Sequence, residues 1–145
     1  MILNFFKKTD SFLDNNKNDD LIKIISLLIH AAKIDENYSE IEKKIIFDFT
    51  TDFAKKPKQE VLDIIKKSEE YERNSNQILE YTKSVKKMDL KLKTLVVKTL
   101  WKIILSDEKA GQYESTLMRR ICGLLYLSDK LSGEIKLNVL EEKKS

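Results

Sequence analysis

Four carboxylates stand out by type and spacing: Asp35 with Glu42 seven residues on, and Asp107 with Glu114 at the same separation. Hard divalent cations of the Ca²⁺ or Mg²⁺ class need several oxygen ligands, and two acidic turns brought near each other supply them. Glu36, Glu40 and Glu108 flank the pairs and would add oxygens. The same residues also have a purely structural use. Ser39-x-x-Glu42 is a capping box, in which each side chain bonds the other residue's backbone N–H. Glu114 falls in the first turn of a helix, where the dipole favours negative charge. Asp35 and Asp107 can satisfy backbone donors within a turn. The residues alone leave both uses open. An EF-hand is excluded: Asp35, Asn37 and Ser39 alternate as its first ligands do, but the sixth position is Glu40 instead of Gly and the twelfth is Ile46 instead of Glu.

Other reactive types are sparse. His30 is the only histidine, and its positional twin is Lys102, which suggests a cation favoured near a helix end. Cys122 is the only cysteine, so neither an internal disulfide nor a thiolate zinc site forms within one chain. It sits in the apolar run Ile121-Cys122-Gly123-Leu124-Leu125, as a small core residue does. A nucleophile would require His30 beside Cys122, and no local motif supports that pairing. Phosphate-binding loops, zinc-protease motifs and hydrolase motifs are absent. The expectation is a protein that is not an enzyme. Arg119 and Arg120 are adjacent, so on a helix they diverge by about 100° and at most one faces the core. An ion pair with Asp107 or Asp35 and an ordinary solvated pair fit them equally.

The elements that must position these residues repeat. Ile24, Ile25, Leu28 and Ile29 align with Val96, Val97, Leu100 and Trp101 at an offset of 72, and Ile45, Ile46, Phe49 and Phe53 align with Leu117, Met118, Ile121 and Leu125. Each copy is an apolar helix, an acidic turn and a second helix. Apolar positions 21, 24, 25, 28, 29 and 32 follow helical spacing, with Asp19 or Asp20 as cap. The second helix carries Ile41, Ile45, Ile46, Phe49 and Phe53 on one face. Pro57 suits the first turn of a third helix, with Val61, Leu62, Ile64 and Ile65 inward and Glu69 to Asn74 as a wet end. Ser75 is placed to cap a fourth helix, Asp89 a fifth that is the most apolar, and Ser128 a last; the sixth ends near Tyr126. No stretch alternates with period two, and Gly and Pro number only three and one. The fold expected is all-α, a compact bundle of about seven helices with two pseudo-symmetric helix–turn–helix halves.

A chain of 145 residues makes one domain that buries about two thirds of its unfolded surface. We divide it into a short amphipathic segment and polar loop over 1–18, a helical domain over 19–140, and a frayed tail over 141–145. The net charge of +3 comes from 27 basic and 24 acidic residues that are interleaved. No basic stripe with interleaved aromatics appears, so nucleic acid is not an expected partner. Met1 to Phe6 is too short for a secretory signal, and no apolar run spans a bilayer; a cytoplasmic location is expected. Phe5 and Phe6 beside Lys7 and Lys8 allow at most peripheral membrane contact through Met1–Leu13, with packing back onto the domain as the alternative.

The stretch Leu27-Leu28-Ile29-His30-Ala31-Ala32-Lys33-Ile34-Asp35, then Ser39-x-Ile41-Glu42, resembles the first half of the TerB-like (tellurite resistance protein B-like) domain. Leu100 to Asp107, Glu114 and Leu117-Met118-Arg119-Arg120-Ile121 resemble its second half, and Leu124 to Ser128 is similar to the close of its penultimate helix. A related domain fronts some membrane-bound DnaJ-type co-chaperones. The resemblance implies a bacterial stress-related helical module with metal-ion binding by the acidic turns and a protein partner. A metal-free interaction domain of the co-chaperone type is the alternative. The family usually places Gly after the Asp of each turn; Glu36 and Glu108 stand there, without glycine's access to positive φ.

Overall fold

Helix α1 (19–32) is buried around its whole circumference at its middle: six consecutive residues, Ile24 to Ile29, have no solvent exposure. A helix apolar all round must be surrounded, and the remaining helices supply the cover. The computed structural model describes residues 19–34, 38–75, 77–106 and 112–144, with side chains in the last stretch from Ser115 onward. After α1 come α2 (Glu40–Ala54), α3 (Lys58–Ser75), α4 (Ile78–Lys86), α5 (Leu90–Leu105), α6 (Gln112–Leu124) and α7 (Asp129–Lys144). The protein is all-α, and no strand occurs among the described residues. Helix α5 is the hub of the other six: α2, α4, α6 and α7 all pack on it.

The repeat in the sequence is a repeat of burial. Ile24, Ile25, Leu28 and Ile29 of α1 and their twins Val96, Val97, Leu100 and Trp101 of α5 all lie in the one core. So do Ile46 and Phe49 of α2 with Met118 and Ile121 of α6. Several polar groups carried inward find partners. Trp101 Nε1 donates to Ser132 Oγ at 3.1 Å, tying α5 to α7. Ser26 Oγ on α1 reaches the Ser68 carbonyl of α3 at 3.1 Å, and the fully buried Tyr81 hydroxyl accepts from Ser75 Oγ at 2.9 Å.

Caps fall largely where side-chain chemistry places them. Ser39 and Glu42 form the complete capping box of α2, Asp89 accepts from Leu92 N at 2.9 Å, and Ser128 from Leu131 N at 3.1 Å. Four expectations need correction. Asp19 and Asp20 lie inside the first turn of α1 instead of ahead of it. Ser75 is the last residue of α3, and Gln77 precedes α4 without a side-chain cap bond. Helix α6 stops at Leu124 because Tyr126 turns left-handed, at φ 59°; Leu127 N then bonds the Cys122 carbonyl and Tyr126 N the Gly123 carbonyl, the paired bonds of a Schellman ending. Helix α7 runs on to Lys144 through the stretch expected to fray. A 2.8 Å ion pair from Lys98 to Glu142 and a bond from Lys143 Nζ to the Leu105 carbonyl dock that end on α5.

Ile41 and Leu62 also differ from expectation: they are exposed, each one helix position off the buried stripe. The segment 1–18 lies outside the described residues.

Candidate functional site

The first helix–turn–helix junction is where α1 gives way to α2. Of the four carboxylates singled out by spacing, Glu42 is described in full; Asp35 and Asp107 lie outside the described residues, and Glu114 sits in α6 with its side chain outside them. The same holds for Glu36 and Glu108, while Glu40 is exposed and pairs with Lys43 at 3.4 Å. Glu42 is only 4% exposed, although carboxylates are seldom buried unless partnered. One reason is local: its Oε1 accepts from Ser39 N at 2.9 Å, closing the capping box.

Two further carboxylates come to the junction from α3. Glu72 is 6% exposed and holds Lys33 Nζ at 2.8 Å through Oε2, with His30 Nδ1 at 3.5 Å from Oε1. Glu69 stands near Tyr38, on the short link into α2. Burial, then the charge of Glu69 and a hydrogen-bonding contact with it, then the charges of Glu42 and Glu72 push the Tyr38 hydroxyl well above the usual tyrosine range. Its oxygen is buried and makes no hydrogen bond of normal geometry, and Lys43 lies over its ring at 5.0 Å from the centroid. Three carboxylates from two helices thus act on one phenol, with Lys33 and Lys43 as neighbouring cations and the His30 ring beside Glu72. Asp35 and Glu36 add two more acids to the turn by sequence.

The stretch Glu69 to Asn74, expected as a wet end, is therefore part of the site. The signal lay in the spacing: residues 61, 65, 68 and 72 continue one helical stripe, and Val61, Ser68 and Glu72 are all buried. Charge masked the stripe, because a glutamate in an acidic run reads as solvated until a lysine from another helix is known to meet it.

Chemically, the junction can hold a cation through carboxylate oxygens and the Tyr38 oxygen, or it can serve as a rigid internal ion-pair network. Among the described residues no group of three or more His, Cys, Asp or Glu side chains stands in metal-ligating geometry. A complete coordination shell would draw on the turn itself.

His30 and Cys122 meet different partners. His30 faces Glu72 and lies 5.9 Å from the Tyr81 ring, while Cys122 is fully buried with Ser132 and Asp129 of α7 as neighbours. Burial, ahead of the other influences, pushes the Cys122 thiol up, away from the reactive thiolate. Native protein is accordingly expected to react with Ellman's reagent only at the rate of global unfolding; fast labelling at neutral pH would show an accessible thiolate instead. Arg119 and Arg120 are both exposed, and neither forms an ion pair with a described acid. No helix among the described residues is long and apolar enough to cross a membrane.

Compared with known protein families, residues 21–137 match the one described as tellurite resistance protein TerB. No curated protein and no solved structure matches the chain significantly. The match takes in most of the chain, both acidic turns and every helix from α1 to the start of α7's last turns. The chain belongs to the TerB family.

Proposed function

We propose that this TerB-family chain is a non-catalytic, stress-related cytoplasmic module that binds a divalent cation of the Ca²⁺ or Mg²⁺ class at its acidic turns. Asp35 and Glu42 at the first junction, and Asp107 and Glu114 at the second, supply the carboxylates, and a protein partner reads the loaded state. The supporting observation is that Glu42, Glu69 and Glu72 all act on the one buried Tyr38 hydroxyl. A hard cation takes carboxylate oxygens of this kind, and a phenol oxygen beside them, as ligands.

A cation that binds only the folded protein raises its stability by RT ln(1 + [L]/Kd), about 2.7 kcal/mol at a hundredfold excess over Kd. For a chain of this size that is a rise of about 5–10 °C in Tm. Chelator-treated protein should show such a rise with Ca²⁺ or Mg²⁺, and Glu42→Gln should lose most of it. Gln still closes a capping box, so the variant removes charge while keeping the helix start. Identical melting with each ion and with chelator would contradict the reading.

The second reading, a metal-free interaction module, is favoured by Ile41. This residue is 61% exposed at the mouth of a shallow groove with Ile45 and Val139, where an apolar partner side chain would fit. Partner capture unchanged by chelator would select it.

A further inference from the structure

A cleft of about 450 Å³ opens where the end of α1, the start of α4 and the middle of α6 meet. That volume falls within the range of small-molecule sites. Its walls are apolar, from Ile34, Ile78, Leu79 and Leu117, and its polar groups include His30, Gln77 and Arg120. Among the described residues no carboxylate lines it. His30 turns Nδ1 to Glu72 at 3.5 Å, which leaves Nε2 as the nitrogen open to a ligand, and Glu72 itself is held by Lys33 at 2.8 Å. Gln77 spends no side-chain bond on capping α4. Arg120 has no described acid to pair with, and a guanidinium fork matches a carboxylate with two parallel bonds.

We propose that this cleft binds a small organic carboxylate with an apolar chain, of the medium-chain fatty acid class, its carboxylate on Arg120 and its chain between Leu79 and Leu117. A bare inorganic anion would leave the apolar walls wet, and an uncharged hydrocarbon would leave Arg120 and Gln77 unused, so the lining selects a ligand with both parts. Glu42 does not line the cleft, and the site does not depend on a bound cation.

The experiment titrates the full chain with octanoate, octanol and octylamine by amide NMR shifts, in chelator. For a ligand this small, saturable octanoate binding is expected with Kd on the order of 0.1–1 mM. Octanol and octylamine should bind at least about tenfold more weakly, the effect of losing one charge-assisted pair. Arg120→Gln should weaken octanoate about tenfold while Arg119→Gln, a neighbour that does not line the cleft, leaves it unchanged. Both arginines are exposed, so both variants should fold, which their amide spectra will show. Absence of saturation by about 10 mM octanoate, equal binding of octanol, or equal losses in the two arginine variants would each overturn the proposal.

Discussion

Leu28→Ala and Leu100→Ala are expected to destabilise the protein by similar amounts, about 3–4 kcal/mol each. The two leucines are twins across the repeat, both with no solvent exposure and both in the single core. Each truncation removes buried methyl groups and leaves a void that neighbouring helices fill only in part. Both helices carry buried residues on several faces, so neither site can collapse by sliding one helix outward. Ile41→Ala provides the contrast: that isoleucine is 61% exposed, and its loss should change stability by less than about 0.5 kcal/mol. Urea unfolding of the three variants measures this directly. A cost below about 1 kcal/mol for either leucine would show that the two halves do not share one core in the manner described.

The second large effect concerns Glu72. Removing one partner of a buried ion pair leaves the other uncompensated, typically at about 3–5 kcal/mol. Lys33 is 38% exposed and can turn to solvent, so Glu72→Ala should cost less, about 2 kcal/mol. Lys33→Met is the harsher change by chemistry, since it leaves the Glu72 carboxylate, only 8% exposed, with His30 alone at 3.5 Å. The double variant Lys33→Met/Glu72→Leu should recover most of the loss, because an apolar pair of similar volume suits the same space. A double-mutant cycle in chemical denaturation gives the coupling, expected at about 1–2 kcal/mol. Strict additivity would mean that the 2.8 Å contact contributes nothing to stability.

The fold was largely legible because helix periodicity and burial are the same fact read twice. The offset of 72 placed α1 against α5 and α2 against α6 as equivalents, and the capping residues Ser39, Asp89 and Ser128 each marked a helix start by local chemistry alone. What escaped depended on long-range partners. Glu72 looked solvated because its Lys33 lies 39 residues away. The end of α7 looked frayed because Lys98 and the Leu105 carbonyl, which hold it, belong to another helix. Ile41 is apolar by type but out of phase: Ile45 and Ile46 point the stripe slightly away from it. The end of α6, expected near Tyr126, falls at Leu124, and a left-handed tyrosine, unlike a glycine, gives no warning of it in the sequence.

For the site, the sequence singled out the acidic turns, and the structure adds the residues of α3 that meet the junction between α1 and α2. Spacing alone selected Glu42; Glu69, Glu72 and Tyr38 emerged only once α3 was laid against α1 and α2. The capping role of Glu42 and a ligand role are compatible in principle, since Oε1 alone bonds Ser39 N, and Glu42 makes a further interaction besides the cap. Cation binding at this junction would thus compete with contacts already present, which is the reason to measure it with the turn aspartates changed and the cap left intact.

The most direct measurement is calorimetric titration of metal-stripped protein with Ca²⁺, Mg²⁺, Mn²⁺ and Zn²⁺, beside the Asp35→Asn/Asp107→Asn double variant. Saturable binding of at least one hard cation, abolished in the double variant while its helical signal is unchanged, is the expected result. No heat with any ion, or equal binding by the variant, would contradict a cation site at the acidic turns and leave them as structural junctions.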